Sequence, residues 1–189
     1  MTLDLDTPIR TYEDLLAVFE EAAAAPREPR IGPEMEKHGI YAKGHAPLPY
    51  EGDKGVLRIL SELAARSGWR PEAEVEGGPI IALRRGDDSI TLEPGGQLEL
   101  SGAAVPTVHD VARAFDDHME ELAPISDELG VVWLGLGFHP FARREDLPWV
   151  PKLRYGIMRE YLPTRGSLAH DMMLRTCTVQ ANYDYDSEE

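Results

Sequence analysis

Apolar residues recur at helical spacing in three stretches of the chain. The apolar side chains of each stretch gather on one side, as expected of helices that pack one face against a core. In the first and third stretches a Thr is followed three residues later by Asp, which is typical of a capped helix start. The pattern predicts helices from Thr11 to before Pro26, between Gly52 and Gly68, and from Thr107 to Gly130, with a shorter helix from Lys152 to Tyr161.

Alternating apolar and polar residues indicate β-strands between these helices. Glycine-rich turns at 77–78, 86–88 and 94–96 separate short segments, and such close spacing predicts an antiparallel meander. The predicted strands are Ile31–Ile40, Ala73–Glu76, Pro79–Arg84, Ser89–Glu93, Gln97–Ser101, Val131–Phe138 and Met172–Asp184. Together the elements predict an α+β fold, with an antiparallel sheet flanked by helices.

Composition restricts the partners and the compartment. The formal net charge is −15, which argues against nucleic acid or an anionic membrane as the main partner, because both need basic patches. One cysteine, Cys177, excludes an internal disulfide and is typical of a reducing cytosol. No apolar run approaches the roughly 20 residues that span a bilayer, and the N-terminus lacks the features of a signal peptide. We therefore expect a cytoplasmic protein with no membrane or nucleic-acid partner.

The stretch from Leu92 to Ser101 carries candidate metal ligands around a Pro-Gly-Gly turn. Strand parity places Gln97, Glu99 and Ser101 on one face, and Glu93 lies just before the turn. Gathered oxygen ligands suit a hard cation such as Mg²⁺. The alternative interpretation is a solvated hairpin with ordinary surface glutamates.

Two further strands have polar faces of matching chemistry. Glu34 and Glu36 share a face of the first strand, and Gln180 and Asn182 share a neutral polar face of the last one, although solvent-exposed strands would show the same patterns. Side by side, these strands would form a floor able to bind more than one Mg²⁺, as in phosphoryl-transfer enzymes. The chain has neither a Walker-type nor a dinucleotide-binding glycine motif, so a nucleotide would be held mainly through metal and arginines.

Four motifs carry a resemblance to a known family. They are IGPEMEKHG from residue 31, LEPGGQLELSG from residue 92, GLGFHP from residue 135 and MMLRTCTVQAN from residue 172. In order along the chain, they resemble glutamate–cysteine ligase, in the branch shared by plants and many proteobacteria. The resemblance implies the first step of glutathione biosynthesis, in which ATP phosphorylates the γ-carboxylate of glutamate and the amine of cysteine displaces the phosphate. It also implies a curved antiparallel sheet related to the catalytic domain of glutamine synthetase.

The resemblance assigns roles to individual residues. It implies Mg²⁺ ligands at Glu34, Glu36, Glu93, Glu99 and Gln180. Arg154 and Arg159 are candidate catalytic contacts to substrate, and Arg175 is a candidate contact to ATP, because a guanidinium binds carboxylates and phosphates as a fork. By strand parity Arg175 and Cys177 face away from Gln180, and Cys177 is interpreted as a packed small residue rather than a nucleophile.

Length is the main departure from the family. Relatives continue beyond the position of Glu189, so residues 1–189 are predicted to be one incomplete catalytic domain, weakly active or inactive without a C-terminal half or a second chain. The expected small-molecule substrates are glutamate and cysteine. The alternatives are a relative that binds glutamate or Mg²⁺ without turnover, a ligase for another amine, and a broken gene product without function.

Overall fold

The computed structural model describes residues 8–24 and 28–185, and its centre is a seven-stranded antiparallel sheet. The helices are α1 Tyr12–Ala24, α2 Val56–Ser67, α3 Val108–Leu129, α4 Leu153–Tyr161 and α5 Ala169–Arg175. The strands are β1 Ile31–Tyr41, β2 Arg70–Glu72, β3 Ala82–Arg85, β4 Asp88–Leu92, β5 Leu98–Ser101, β6 Val131–Leu134 and β7 Val179–Tyr183. This arrangement confirms the predicted α+β class. Within the described ranges, no helix has the length and apolar character needed to cross a bilayer.

Strand β1 is the centre of the sheet, whose order is β2-β3-β4-β5-β1-β6. Residues 34–37 of β1 pair with β5 on one edge. The opposite edge is shared, because residues 31–35 pair with β7 and residues 38–41 pair with β6. An 11-residue strand is long enough to hold these shorter partners. The three strands that carry the candidate ligands therefore lie side by side, as predicted.

One face of the sheet packs against α2 and α3. Leu98 and Leu100 of β5 are almost fully buried there, which confirms the face predicted from strand parity. His118 of α3 is also buried, and its Nε2 lies 3.0 Å from Nζ of Lys37. The imidazole is therefore packed in the core, with a buried lysine as its partner.

The ends of α3 follow the predicted signals. The Thr107 side chain accepts a hydrogen bond from the Asp110 backbone N–H, and the Asp110 carboxylate accepts one from the Thr107 backbone N–H. At the other end Gly130 adopts a left-handed conformation with φ of 71°, which only glycine adopts without strain. Gly68 ends α2 in the same way, and α1 ends at Ala24, while Pro26 lies outside the described residues.

Two strand predictions in the meander need correction. Residues 73–76 were predicted to form a strand, but they belong to a turn in which the Gly78 N–H bonds to the Val75 carbonyl, and β2 lies just before it. Strand β3 also starts later than predicted, at Ala82. The Gly77-Gly78 pair favours a tight reversal over an extended strand, and the turn extends to both sides of it.

The predicted last strand is also wrong over its first half. Residues 169–175 form α5, and only Val179–Tyr183 is a strand. Met173 and Leu174 are both buried in a second apolar cluster, whereas strand alternation would bury only one of two neighbours. Arg175 is therefore the last residue of a helix, and the argument from strand parity does not apply to it.

Strand β6 is shorter than predicted, ending at Leu134 rather than Phe138. Beyond that point β7 occupies the edge of β1, so the chain turns away and residues 137–139 pair with residues 175–177. Cys177 is buried in this crossing, which confirms that it is packed. Burial raises the pKa of its thiol, which opposes a role as a nucleophile.

Candidate functional site

The second face of the sheet carries the candidate metal ligands. Glu36 lies opposite Glu99 in the β1–β5 ladder, and Glu34 lies opposite Gln180 in the β1–β7 ladder. Residues opposite each other in antiparallel strands point to the same side. The structure therefore places these four side chains on one face, opposite to the face that packs against α2 and α3.

A cleft of about 610 Å³ lies over part of this face. Glu93 and Glu99 line it from the sheet, and Lys152 and Arg154 line it from the start of α4. The remaining lining includes Glu72, Glu74, Arg84, Thr91 and Ser101. The Glu74 carboxylate also accepts a hydrogen bond of 2.7 Å from the Leu153 N–H, so the loop after β2 is joined to the first turn of α4. The cleft thus combines a carboxylate floor with cationic groups on one wall.

The carboxylates of the floor repel one another. Burial is the main cause that raises the pKa of Glu93, and the charges of Glu99 and Glu36 raise it further. Burial likewise raises the pKa of Glu36, against two hydrogen bonds from Thr178 that lower it. Lys152 and Arg154 act on Glu93 in the opposite direction. A bound cation would relieve this repulsion, so the residues fit a hard metal ion in charge and in ligand type.

The carboxylates of the floor suit a metal ion that keeps water or phosphate oxygens among its ligands. In the described part of the chain, no three His, Cys, Asp or Glu side chains form a group that could hold a metal ion by themselves. Mg²⁺ is usually bound by one or two carboxylates, with waters and substrate phosphates as the other ligands. The floor meets this lesser requirement through its neighbouring carboxylates.

The other candidate ligands lie beside the cleft and not in its lining. Both oxygens of Glu36 accept hydrogen bonds of 3.0 Å from Thr178, one from the backbone N–H and one from the hydroxyl. Glu34 accepts a hydrogen bond of 2.9 Å from the Asn182 amide, which in turn accepts one of 3.2 Å from Gln180. These side chains join β1 to β7, and their metal-binding role stays a prediction.

Of the three candidate arginines, only Arg154 reaches the cleft. Its guanidinium lies 3.8 Å from Glu93 Oε1. Arg159 is exposed and lies over the ring of Trp149, at 4.7 Å from the ring centre. Arg175 lies over the ring of Phe138 and pairs with Asp171. The structure does not bring the last two arginines to the carboxylates.

Lys152 and Tyr155 are site residues that the sequence analysis missed. Nζ of Lys152 donates a hydrogen bond of 2.7 Å to the Leu92 carbonyl, and burial lowers its pKa. The Tyr155 hydroxyl lies beside Glu93, at 3.3 Å from Oε1. A signal was present in the sequence, since a lysine just before a helix opposes the helix dipole and replaces the usual capping residue.

Gln97 has a structural role in place of the expected position on the polar floor. Its Oε1 accepts a hydrogen bond from the Gly95 N–H, and its Nε2 donates to the carbonyls of Met173 and Thr176. The turn after Glu93 is thereby attached to the end of α5. Gly95 is needed there, because a Cβ at this position would lie 2.4 Å from the Leu174 carbonyl oxygen.

These features define an α+β domain with a carboxylate-floored, cation-walled cleft on the open face of its sheet. Comparison with known proteins then identifies the family. Residues 30–189 match the family model of glutamate-cysteine ligase family 2 (GCS2), and the chain belongs to this family. The predicted resemblance is therefore confirmed.

The curated relatives that match are named glutamate–cysteine ligases of plants. The chain is 44% identical to those of Brassica juncea and Arabidopsis thaliana, over 94% of its own length in each case. It is 42% identical to ligase B of Oryza sativa subsp. japonica over 95% of its length. These matches cover 34%, 33% and 35% of the relatives, so the chain spans about a third of their length.

The same comparison contradicts the expected location. Each of the three relatives is named chloroplastic, whereas the sequence analysis predicted a cytoplasmic protein. The lone cysteine, on which that prediction mainly rested, does not distinguish the cytosol from other reducing compartments.

Proposed function

We propose that this chain forms the N-terminal part of a glutamate–cysteine ligase catalytic domain related to that of glutamine synthetase. The proposed reaction joins the γ-carboxylate of L-glutamate to the amine of L-cysteine, with ATP converted to ADP and phosphate. It is the first step of glutathione biosynthesis. The observation that carries the proposal is the cleft formed by Glu93, Glu99, Lys152 and Arg154, within a chain of this family.

The chain's own residues have distinct roles in this proposal. Glu93 and Glu99 would hold Mg²⁺ in the cleft, with Glu34, Glu36 and Gln180 as the neighbouring ligand set. When bound, Mg²⁺ neutralises phosphate charge and orients the γ-phosphate of ATP. Arg154 would bind a phosphate or carboxylate oxygen at the wall, since its guanidinium is partly exposed and lies beside the floor.

Arg159 and Arg175 could contact a substrate or ATP in the cleft only if their side chains left their present positions. Each guanidinium is stacked on an aromatic ring, and this cation–π interaction is favourable. Arg175 also pairs with Asp171. We therefore expect alanine at either position to have a smaller effect on turnover than alanine at Arg154.

A further part of the catalytic domain, or a second chain, is proposed to complete the site. All five residues of β7 are exposed, and Val179 and Tyr183 are 74% and 73% exposed. An edge strand with uncovered apolar side chains favours association with more protein. About two-thirds of each relative lies outside the matched region, and we propose that part of this additional chain covers the edge.

The test is amide formation that depends on both amino acids. The chain is assayed alone and combined with the part of a plant relative that follows the matched region, with ATP, Mg²⁺, glutamate and cysteine. ADP release is coupled to a spectrophotometric readout, and γ-glutamylcysteine is identified by mass spectrometry. We expect little or no turnover by the chain alone, turnover by the combination, and a loss of at least about a hundredfold on Glu93→Gln or Glu99→Gln.

Three outcomes separate the alternatives. Glutamate binding by calorimetry without ADP release in the combination would favour a non-catalytic relative. ADP release with another amine, but not with cysteine, would favour a different ligase. Full activity of both Gln variants, judged against the exposed control Glu145→Gln, would refute the assignment of the cleft.

A further inference from the structure

The hydroxyl of Tyr155 lies between the backbone of β4 and the carboxylate of Glu93. It is 2.8 Å from the Leu92 carbonyl oxygen and 3.3 Å from Glu93 Oε1. The ring is buried in the main core, and Arg154 donates a hydrogen bond of 3.1 Å to the hydroxyl oxygen. Because Arg154 can only donate, the hydroxyl proton is directed to the two oxygen acceptors.

The Leu92 carbonyl does not depend on Tyr155. It also accepts the 2.7 Å hydrogen bond from Nζ of Lys152, so the carbonyl stays paired when the hydroxyl proton is shared with Glu93. Both contacts of the Glu93 carboxylate, to Tyr155 and to Arg154, are made by Oε1. Oε2 takes part in neither of them, and Glu93 lines the cleft.

We propose that Tyr155 is a positioning residue, which holds Oε1 of Glu93 so that Oε2 is presented to a metal ion in the cleft. The inference rests on the proposed function, in which Glu93 is a metal ligand. Hydrogen-bond partners behind a metal-binding carboxylate fix its orientation, and their loss typically weakens metal binding about 10- to 100-fold. The 3.3 Å contact is long, so we expect the lower end of this range.

Tyr155→Phe tests the proposal because it removes the hydroxyl and keeps the ring in the core. Mn²⁺ is the probe, and free Mn²⁺ is measured by electron paramagnetic resonance in titrations of the 189-residue chain. The expected result is a dissociation constant raised about tenfold. The matched control is Tyr50→Phe, since the buried Tyr50 also donates a hydrogen bond, of 2.7 Å, to a backbone carbonyl, that of Ile80. The control should lower the melting temperature at least as much as Tyr155→Phe and leave Mn²⁺ affinity unchanged.

Glu93→Gln separates failure of this inference from failure of the proposed function. If Glu93→Gln weakens Mn²⁺ binding and Tyr155→Phe does not, the positioning role is overturned and Glu93 keeps its assignment. If the wild-type chain binds no Mn²⁺, or if Glu93→Gln binds Mn²⁺ as tightly as the wild type, the metal-ligand role of Glu93 and the positioning role of Tyr155 are both overturned. If Tyr50→Phe weakens binding as much as Tyr155→Phe, the effect is general loss of packing and the positioning role is again overturned.

Discussion

The buried ammonium of Lys37 should make the stability of the fold depend on pH above neutrality. Lys37 lies on the helix side of β1 and is 2% exposed, and its Nζ contacts His118 Nε2 and the carbonyls of Met35 and Leu98. Burial lowers its pKa from 10.5 to about 7. Burial also lowers the pKa of His118, to about 2, so the imidazole is neutral and can accept from the ammonium.

The sign follows from the proton count of the two states. Between the folded pKa of about 7 and the unfolded pKa of 10.5, the unfolded chain binds a proton that the folded chain does not. The free energy of unfolding therefore rises with pH in this window, and the stabilisation is lost as pH falls through 7. The full window corresponds to about 5 kcal/mol at 1.36 kcal/mol per pKa unit, of which about 2 kcal/mol falls between pH 7 and 9.

Lys37→Met removes this titration and keeps an unbranched side chain in the core. Urea unfolding at pH 7, 8 and 9, in EDTA, should show the wild-type chain gaining about 2 kcal/mol relative to Lys37→Met over the window. The exposed Lys54→Met is the matched control and should follow the wild type. Titratable groups remote from Lys37 are present in every variant, and their contributions cancel in the difference. Parallel pH profiles for the wild type and Lys37→Met would refute the reasoning.

Two further predictions concern the turn of the site and the cap of the longest helix. Gly95→Ala should lower the free energy of unfolding in urea by about 1–3 kcal/mol, because its Cβ would meet the Leu174 carbonyl. Gly135→Ala is the control and should cost less, since open space surrounds that position. Equal losses for the two variants would contradict the close approach at Gly95. Thr107→Ala should lose about 1 kcal/mol of stability in thermal unfolding, because it removes the acceptor of the Asp110 N–H. Thr107→Ser keeps a hydroxyl acceptor and should retain most of this stability. A serine variant as unstable as the alanine variant would contradict the capping role.

Much of the sheet could be predicted because its signals are local. The alternation around Glu99 and the Pro-Gly-Gly turn specify a hairpin and its faces, and Thr107 and Gly130 specify the ends of α3. The matching polar faces suggested that the three strands lie side by side, which the ladders confirm, whereas the register that brings Glu36 beside Glu99 was not predicted. Such predictions need only the strand period and the capping rules.

The failures share a different cause, which is competition from tertiary contacts. Residues 175–184 alternate, but the apolar run from Met172 to Leu174 does not, and Met173 and Leu174 are both buried in the second apolar cluster as part of a helix. Gln97 has the parity of a floor residue, but its amide satisfies the backbone of Gly95 and of residues distant in sequence. In both cases the deciding partners include residues distant in sequence, so the alternating pattern alone does not predict the outcome.

The charge balance of the floor explains why two lysines are buried in so acidic a chain. Lys37 lies on the helix side of the sheet and Lys152 on the open side, and the charge of Glu99 raises the pKa of both lysines. Glu99 itself is 8% exposed, so little water is available to stabilise its charge. At and below about pH 7, where Lys37 carries its proton, ammonium groups lie on both sides of the sheet and stabilise the carboxylate charge. Lys37 comes from β1 and bonds to the Leu98 carbonyl of β5, whereas Lys152 comes from the start of α4 and bonds to the Leu92 carbonyl of β4. The two lysines therefore approach the carboxylates only when the fold brings both segments to the β4–β5 pair.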